Sequence, residues 1–127
     1  MEVLSSRVLL HPSDLERSLR FYGETLGLAI YREYAAGDSR GVVFFTGNGY
    51  LEVAGQADAP GTDKIQLWFQ VRDIAAAHEA LQAKGVPVLQ EPKRMPWGLH
   101  EMWIEDPDGV RIAIVEVPDD HPLRRRL

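Results

Sequence analysis

The chain has 127 residues, of which 45% are hydrophobic and 26% are charged, a balance typical of one globular domain. The net charge of −5 argues against nucleic acid as a partner, and the absence of cysteine excludes disulfides, thiolate metal sites and cysteine nucleophiles. We see no N-terminal leader pattern and no run close to the ~18 apolar residues that span a bilayer, so we expect a cytoplasmic protein with no membrane partner. The arginines at 124–126 are expected to form a solvated tail.

The first part of the chain is predicted to contain a strand, a helix and three further strands. The apolar strand covers 7–10, and Ser13 and Glu16 have the spacing of a capping box at the start of a helix. Apolar residues then recur at helical spacing as far as Gly27, which ends the helix. Three strands are predicted after it, at 28–34, 41–46 and 50–54, with turns at 37–38 and 47–49.

The same order of elements is predicted again after a polar linker at 56–63. The second set comprises a strand at 64–71, a helix at 73–84 ended by Gly85, and strands at 86–90, 99–105 and 110–117. An internal repeat of about 59 residues, with the unit βαβββ, therefore organises the chain. The halves cover 3–55 and 64–117 of a single domain over 1–127, with a tail at 118–127.

The strand at 64–71 has two chemically different faces. Aliphatic and aromatic residues alternate with Gln66, Trp68 and Gln70, and alternation places the two sets on opposite sides of a sheet. The aliphatic side is expected to pack on the helices. The Gln-Trp-Gln side is then left to line a concave surface, which is the first indication of a ligand site.

Four segments carry a family resemblance when they are taken in order: Ser13-Asp14-Leu15-Glu16-Arg17-Ser18, Phe21-Tyr22, Leu26-Gly27-Leu28 and Glu105-Asp106-Pro107-Asp108-Gly109. Together they resemble the vicinal oxygen chelate superfamily, which includes glyoxalase, extradiol dioxygenases and the bleomycin-resistance proteins. The resemblance implies an α+β fold in which the two βαβββ repeats form a curled mixed sheet around a cleft, commonly in a homodimer. It also implies that enzymes of the family hold a divalent metal in that cleft, where the metal acts as a Lewis acid.

The four metal positions that the resemblance implies fall on Arg7, Glu52, Gln66 and Ala113. Arg7 is permanently cationic and Ala113 has no donor atom, so neither can ligate a metal. Only Glu52 and Gln66 remain possible oxygen ligands, and two are too few for a tight transition-metal site. We therefore expect no metal and no other cofactor. The facing positions of Arg7 and Glu52 instead suggest an ion pair, which would either present charge to a ligand or serve as a structural salt bridge.

Several other side chains are candidates for ligand contact. Trp68 shares the face of Gln66, and Trp97 lies on a loop that could cap the cleft, whereas Trp103 is expected to belong to the core. His100 could donate a hydrogen bond or act as an acid or base, and His11 lies at the mouth of the first strand. The predicted ligand-binding set is thus Arg7, Glu52, Gln66, Trp68, Trp97 and His100.

The function predicted from these residues is metal-independent binding of a small, aromatic compound in the cleft of a homodimer, resembling the bleomycin-resistance-type, antibiotic-binding members of the family. The alternative is an atypical enzyme of the glyoxalase (lyase or isomerase) or dioxygenase type, in which Glu52 and His100 would be the weak candidates for catalytic groups. A structural or regulatory domain without a pocket ligand is the third class. The sequence leaves open both the identity of the ligand and whether there is catalysis.

Overall fold

A computed structural model describes residues 2, 4, 5, 7–36, 39–55 and 65–122. The chain divides into two compact units, Met1–Gly61 and Thr62–Leu127. Each unit contains one helix and a four-stranded mixed sheet, so the predicted α+β class and the two βαβββ repeats are confirmed. The predicted linker, the 37–38 turn and the arginine tail lie outside the described residues. No helix in the described part of the chain is long and apolar enough to cross a membrane.

The first unit has the strand order β1-β4-β3-β2. Strand β1 runs parallel to β4, and the remaining neighbours are antiparallel. Helix α1 continues into a π-helical turn, Phe21–Thr25, and Gly27 with a φ of 72° follows it. The elements are β1 (Val8–Leu10), α1 (Leu15–Arg20), β2 (Ile30–Ala36), β3 (Ser39–Thr46) and β4 (Gly49–Ala54).

The second unit repeats this arrangement with the strand order β5-β8-β7-β6. Strand β5 runs parallel to β8, and the other neighbours are antiparallel. Its elements are β5 (Gln66–Gln70), α2 (Ile74–Ala83), β6 (Gln90–Arg94), β7 (His100–Glu105) and β8 (Arg111–Glu116).

The two helices begin in the same way. Asp14 caps α1 by accepting from Arg17 N, and Asp73 caps α2 by accepting from Ala76 N. A carboxylate at this position satisfies a backbone N–H that the first turn of a helix leaves unpaired. The predicted capping box at Ser13 is therefore wrong by one residue, because the side chain of Asp14 already accepts from the N–H three residues on.

One predicted strand is misplaced. The apolar segment 86–90 was expected to pair, but β6 covers Gln90–Arg94. Val86 is buried just after α2, where its N–H bonds back to the Leu81 carbonyl, so it ends the helix instead of entering the sheet. Pairing with β7 begins only where Leu89 N donates to Trp103 O.

Each unit has an apolar core on the side of its sheet that the helix covers. In the first unit Tyr22, Phe44 and Leu51 are almost fully buried, and in the second Met102 and Ile112 are. The Asp-Pro-Asp-Gly segment before β8 is a tight turn, in which the Asp106 carboxylate accepts from the N–H groups two and four residues later. On the opposite face of each sheet, polar and aromatic side chains lie beside buried apolar residues, among them Val43 in the first unit and Ala113 and Val115 in the second.

Candidate ligand-binding site

Glu52 lies in the middle of β4 and connects two neighbouring side chains. Arg7 Nη1 donates to Glu52 Oε1 at 2.7 Å, and Tyr34 Oη donates to Glu52 Oε2 at 2.8 Å. The predicted contact between Arg7 and Glu52 is thus confirmed. We refer to Arg7, Tyr34 and Glu52 as the Glu52 network. The carboxylate is 15% exposed and the Arg7 side chain 35% exposed, so the ion pair is only partly shielded from water.

The network shifts the protonation of its members in opposite directions. The hydrogen bond from Arg7 holds the pKa of Glu52 below its ordinary value, and this effect outweighs the opposing effect of burial. Burial, followed by the hydrogen bond to Glu52, raises the pKa of Tyr34. At neutral pH the carboxylate is therefore ionised, and the phenol keeps the proton that it donates.

A glycine makes room for Tyr34 to reach Glu52. Tyr34 is paired with Gly41 of β3, which in turn is paired with Ala54 of β4. A Cβ built on Gly41 would lie 2.7 Å from Tyr34 Oη and 2.6 Å from Ala54 Cβ, closer than side chains approach. The absence of a side chain at Gly41 lets the tyrosine ring cross β3 in close contact with its backbone.

Three aromatic rings lie beside the Glu52 network. Tyr31, Phe45 and Tyr50, here called the aromatic cluster, have ring centroids 4.9 to 5.8 Å apart. A register shift between Ile30 and Arg32 falls at Tyr31, whose ring contacts the other two. Arg7 links the two groups, because its guanidinium lies 6.0 Å from the centre of the Tyr50 ring.

The corresponding face of the second sheet is built from indoles. Trp68, Ala113 and Trp103 are register partners on β5, β8 and β7, and we call them the tryptophan row. Ala113 has the same place in its sheet as Glu52, which pairs with Leu9 on β1 and Val43 on β3. Ala113 is completely buried, whereas Trp68 is 47% exposed. Ala113, which lies between the two indoles, has no side-chain atom that could bind a metal or accept a hydrogen bond.

A buried carboxylate fixes two of the indoles. Glu101 is 5% exposed, and its two oxygens accept from Trp97 Nε1 at 2.7 Å and from Trp103 Nε1 at 3.1 Å. Trp103 also packs on an apolar cluster of the second unit and has the Arg111 guanidinium 4.9 Å from its ring centre. Trp103 thus packs against the core, as the sequence predicts, and the half-exposed Trp97 is oriented by Glu101.

The remaining predicted site residues lie at the edges of these groups. Gln66 is exposed at the start of β5, in register with Arg111. His100 is half-buried at the start of β7, with Nδ1 3.9 Å from Glu116 Oε2. His11 Nδ1 donates to the Ala54 carbonyl at 3.0 Å, which gives it a structural partner.

The residues at the metal positions that the family resemblance implies do not fit a divalent ion. Both oxygens of Glu52 accept hydrogen bonds, one of them from a guanidinium that would repel a metal. Ala113 offers no ligand. Over residues 7–36, 39–55 and 65–122, no group of three or more His, Cys, Asp or Glu side chains could hold an ion.

Most of the first unit's site was not predicted from the sequence. Arg7 and Glu52 were predicted, but their neighbours were not; these are Tyr31, Arg32, Tyr34, Phe45 and Tyr50. Arg32 and Tyr34 alternate along β2, and that pattern could have placed them on one face. The position of Tyr31 could not be read in the same way, because the register shift breaks the alternation.

A repeated βαβββ unit with a polar and aromatic sheet face defines the class to which this chain belongs. The model of the Glyoxalase/Bleomycin resistance protein/Dioxygenase superfamily matches residues 5–114, so the chain is a member of that superfamily. A lactoylglutathione lyase of Haemophilus influenzae is 29% identical over 91% of this chain and 93% of its own length. A probable lactoylglutathione lyase of Synechocystis is also 29% identical, over 85% of this chain and 91% of its own.

Solved structures show the same fold. A superfamily member from Sphaerobacter thermophilus has a TM-score of 0.73 and 28% identity, covering 91% of this chain and 98% of its own. TnmS3, an antibiotic binding protein from Streptomyces, has a TM-score of 0.73 at 22% identity, covering 92% and 98%. The likeness to TnmS3 is one of fold.

Proposed function

We propose that the protein binds a small, aromatic compound reversibly and without a metal, as a homodimer in the cytoplasm. The observation that carries the proposal is the bond from Arg7 to Glu52, which joins two of the positions where the family resemblance implies metal ligands. The Arg7 guanidinium is bonded to the Glu52 carboxylate that a metal would need as a ligand. The same ion pair is a polar group beside the exposed aromatic rings. The proposal is supported by TnmS3, which has the same fold and is described as an antibiotic binding protein.

The aromatic side chains supply the flat surface that this function requires. Tyr31 and Phe45 are 48% and 41% exposed in the first unit, and Trp68 is 47% exposed in the second. Large rings are normally buried, and exposed ones next to oriented polar groups are typical of binding surfaces. Planar compounds would stack on these rings, while the polar neighbours fix their orientation.

The protonation of Glu52 favours binding over acid–base catalysis. A general base works best with a pKa near the operating pH, but Arg7 and Tyr34 hold the pKa of Glu52 below its ordinary value. The carboxylate is thus a weak base, and its ionised form is stabilised by the contacts that orient it. Such a group is suited to holding Arg7 and Tyr34 in place beside the exposed rings.

The test is binding to the purified protein with and without a chelator. We expect planar aromatic compounds, including aromatic antibiotics, to quench tryptophan fluorescence with the same affinity in the presence of EDTA. Metal analysis should find no stoichiometric divalent ion. Silence across a broad aromatic panel would overturn the proposal, as would binding that disappears on chelation.

The second candidate is an enzyme of the glyoxalase type, favoured by the relatives named lactoylglutathione lyase. It predicts formation of lactoylglutathione by the purified protein when a divalent metal is added. The control is the Glu52→Gln variant, which removes the one carboxylate at the four family positions. Activity that requires both metal and Glu52 would replace the binding proposal with this one.

A further inference from the structure

The charges around the aromatic cluster point to the kind of ligand. We infer that the first unit binds an aromatic monoanion, such as an aromatic carboxylate, with its ring on the cluster and its charge at Arg7 and Arg32. This inference rests on the proposed function and adds the charge of the ligand.

Among the described residues of the first sheet, the face that bears Glu52 carries more positive than negative charge. Arg32 pairs in register with Val43, which pairs with Glu52, so the three share one face of the sheet. The guanidinium of Arg32 lies 5.6 Å from the centre of the Tyr34 ring, and its charge helps to lower the pKa of Glu52. Two guanidinium groups thus surround one carboxylate, which leaves one positive charge without a counterpart in this group.

The opposite charge on Glu33 does not cancel this excess. Glu33 follows Arg32 in β2, where successive side chains point to opposite faces, and it pairs with Val42 instead of Val43. Glu16 on α1 is similarly engaged elsewhere, by Arg40. Neither Glu33 nor Glu16 therefore offsets the second guanidinium group beside Glu52.

The rings are packed too closely to enclose a cation. An aromatic cage needs space for a cation between its walls, with each ring centre up to about 6 Å from the charge. The three centroids here are only 4.9 to 5.8 Å apart, so the rings contact one another and fill that space. Arg7 already lies over Tyr50 and would repel a second cation.

Glu52 engages only part of the hydrogen-bonding capacity of the two arginines. Its two oxygens are occupied by one bond from Arg7 Nη1 and one from Tyr34. A guanidinium has five N–H donors, and both Arg7 and Arg32 are exposed, so donors remain within reach of a second carboxylate. Tyr31 and Phe45 next to them offer the exposed ring surface.

The experiment compares ligands that share a ring system and carry a negative, a neutral or a positive polar group. Benzoate, 2-naphthoate and anthracene-9-carboxylate are each titrated by calorimetry against the corresponding amide and aminomethyl compound. We expect the carboxylate of at least one scaffold to bind about tenfold tighter than its amide, because charge-assisted hydrogen bonds are added. The aminomethyl compound should bind most weakly, and high salt should reduce only the carboxylate's advantage.

Three substitutions test the assignment to these residues. Arg32→Gln leaves the bond between Arg7 and Glu52 in place and should bring acid and amide to within about twofold of each other. Glu52→Gln removes the negative charge, so it should strengthen carboxylate binding, a gain that damage to the fold would not produce. Arg20→Gln, an exposed substitution on α1, is the matched control and should change neither affinity.

The outcomes separate this inference from the proposed function. Equal binding of acid and amide, or preference for the amine, would overturn the charge assignment while leaving aromatic binding intact. Loss of carboxylate binding in Glu52→Gln would also overturn it. No binding of any compound to protein that is folded by circular dichroism would count against the proposed function itself.

Discussion

The two sheets place chemically different side chains at equivalent positions. In the first, Glu52 holds an ion pair and a tyrosine; in the second, the position of Glu52 is taken by Ala113 in a row of indoles. The strand order and the parallel pairing of the first and last strands are the same in both units. The repeated backbone therefore determines where side chains lie on each sheet. The identity of the residue at each position determines whether the sheet carries a charged network or an apolar surface.

The largest effect is expected when a carboxylate is placed in the second sheet at the position that Glu52 has in the first. Ala113→Glu is expected to lower the free energy of unfolding by about 3 kcal/mol, because Ala113 is fully buried and packs in an apolar cluster. Urea denaturation measures the change. Ala113→Leu adds comparable volume without charge, and a loss no larger for Glu than for Leu would show that the second sheet accepts a carboxylate after all.

A smaller change tests the close packing that the first sheet needs for its network. Gly41→Ala should destabilise the protein by about 2 kcal/mol, because the new methyl group overlaps Tyr34 Oη and Ala54 Cβ. The control is Gly49→Ala in the same sheet, where a Cβ would meet only ordinary contacts. Thermal or urea unfolding compares them, and equal stability of the two variants would contradict the role given to Gly41.

The smallest expected effect depends on pH. The pKa of Glu52 is lowered on folding, so its contribution to stability is present above the unfolded value of 4.5 and is lost as pH falls through the lower folded value. Glu52→Gln should therefore cost about 1 kcal/mol at neutral pH and progressively less in acid. The exposed Glu33→Gln on β2 serves as control. A cost for Glu52→Gln that stays constant between about pH 7 and pH 3 would refute the ion pair's contribution.

The sequence predicted the fold more fully than the site. Helical periodicity and stop glycines placed both helices to within a few residues, whereas the apolar segment after α2 was mistaken for a strand. That error arose because hydrophobic patterning does not distinguish a residue buried behind a helix from one buried in a sheet. The site was predicted less completely than the fold. Tyr34 is 18 residues from Glu52 along the chain, and the contact between them depends on the register of three strands.

By itself, the sequence determined the repeat, through its local spacing, and the resemblance to the family, through four short segments. The four metal positions are what that resemblance implies, and residue chemistry then excludes Arg7 as a ligand, because an arginine has no lone pair to offer a metal. Only the tertiary structure decided that Arg7 and Tyr34 share the carboxylate of Glu52, and that Glu101 orients two indoles. Hydrogen bonds between strands depend on register, a bulge and the space left by a glycine, which are properties of the packed sheet.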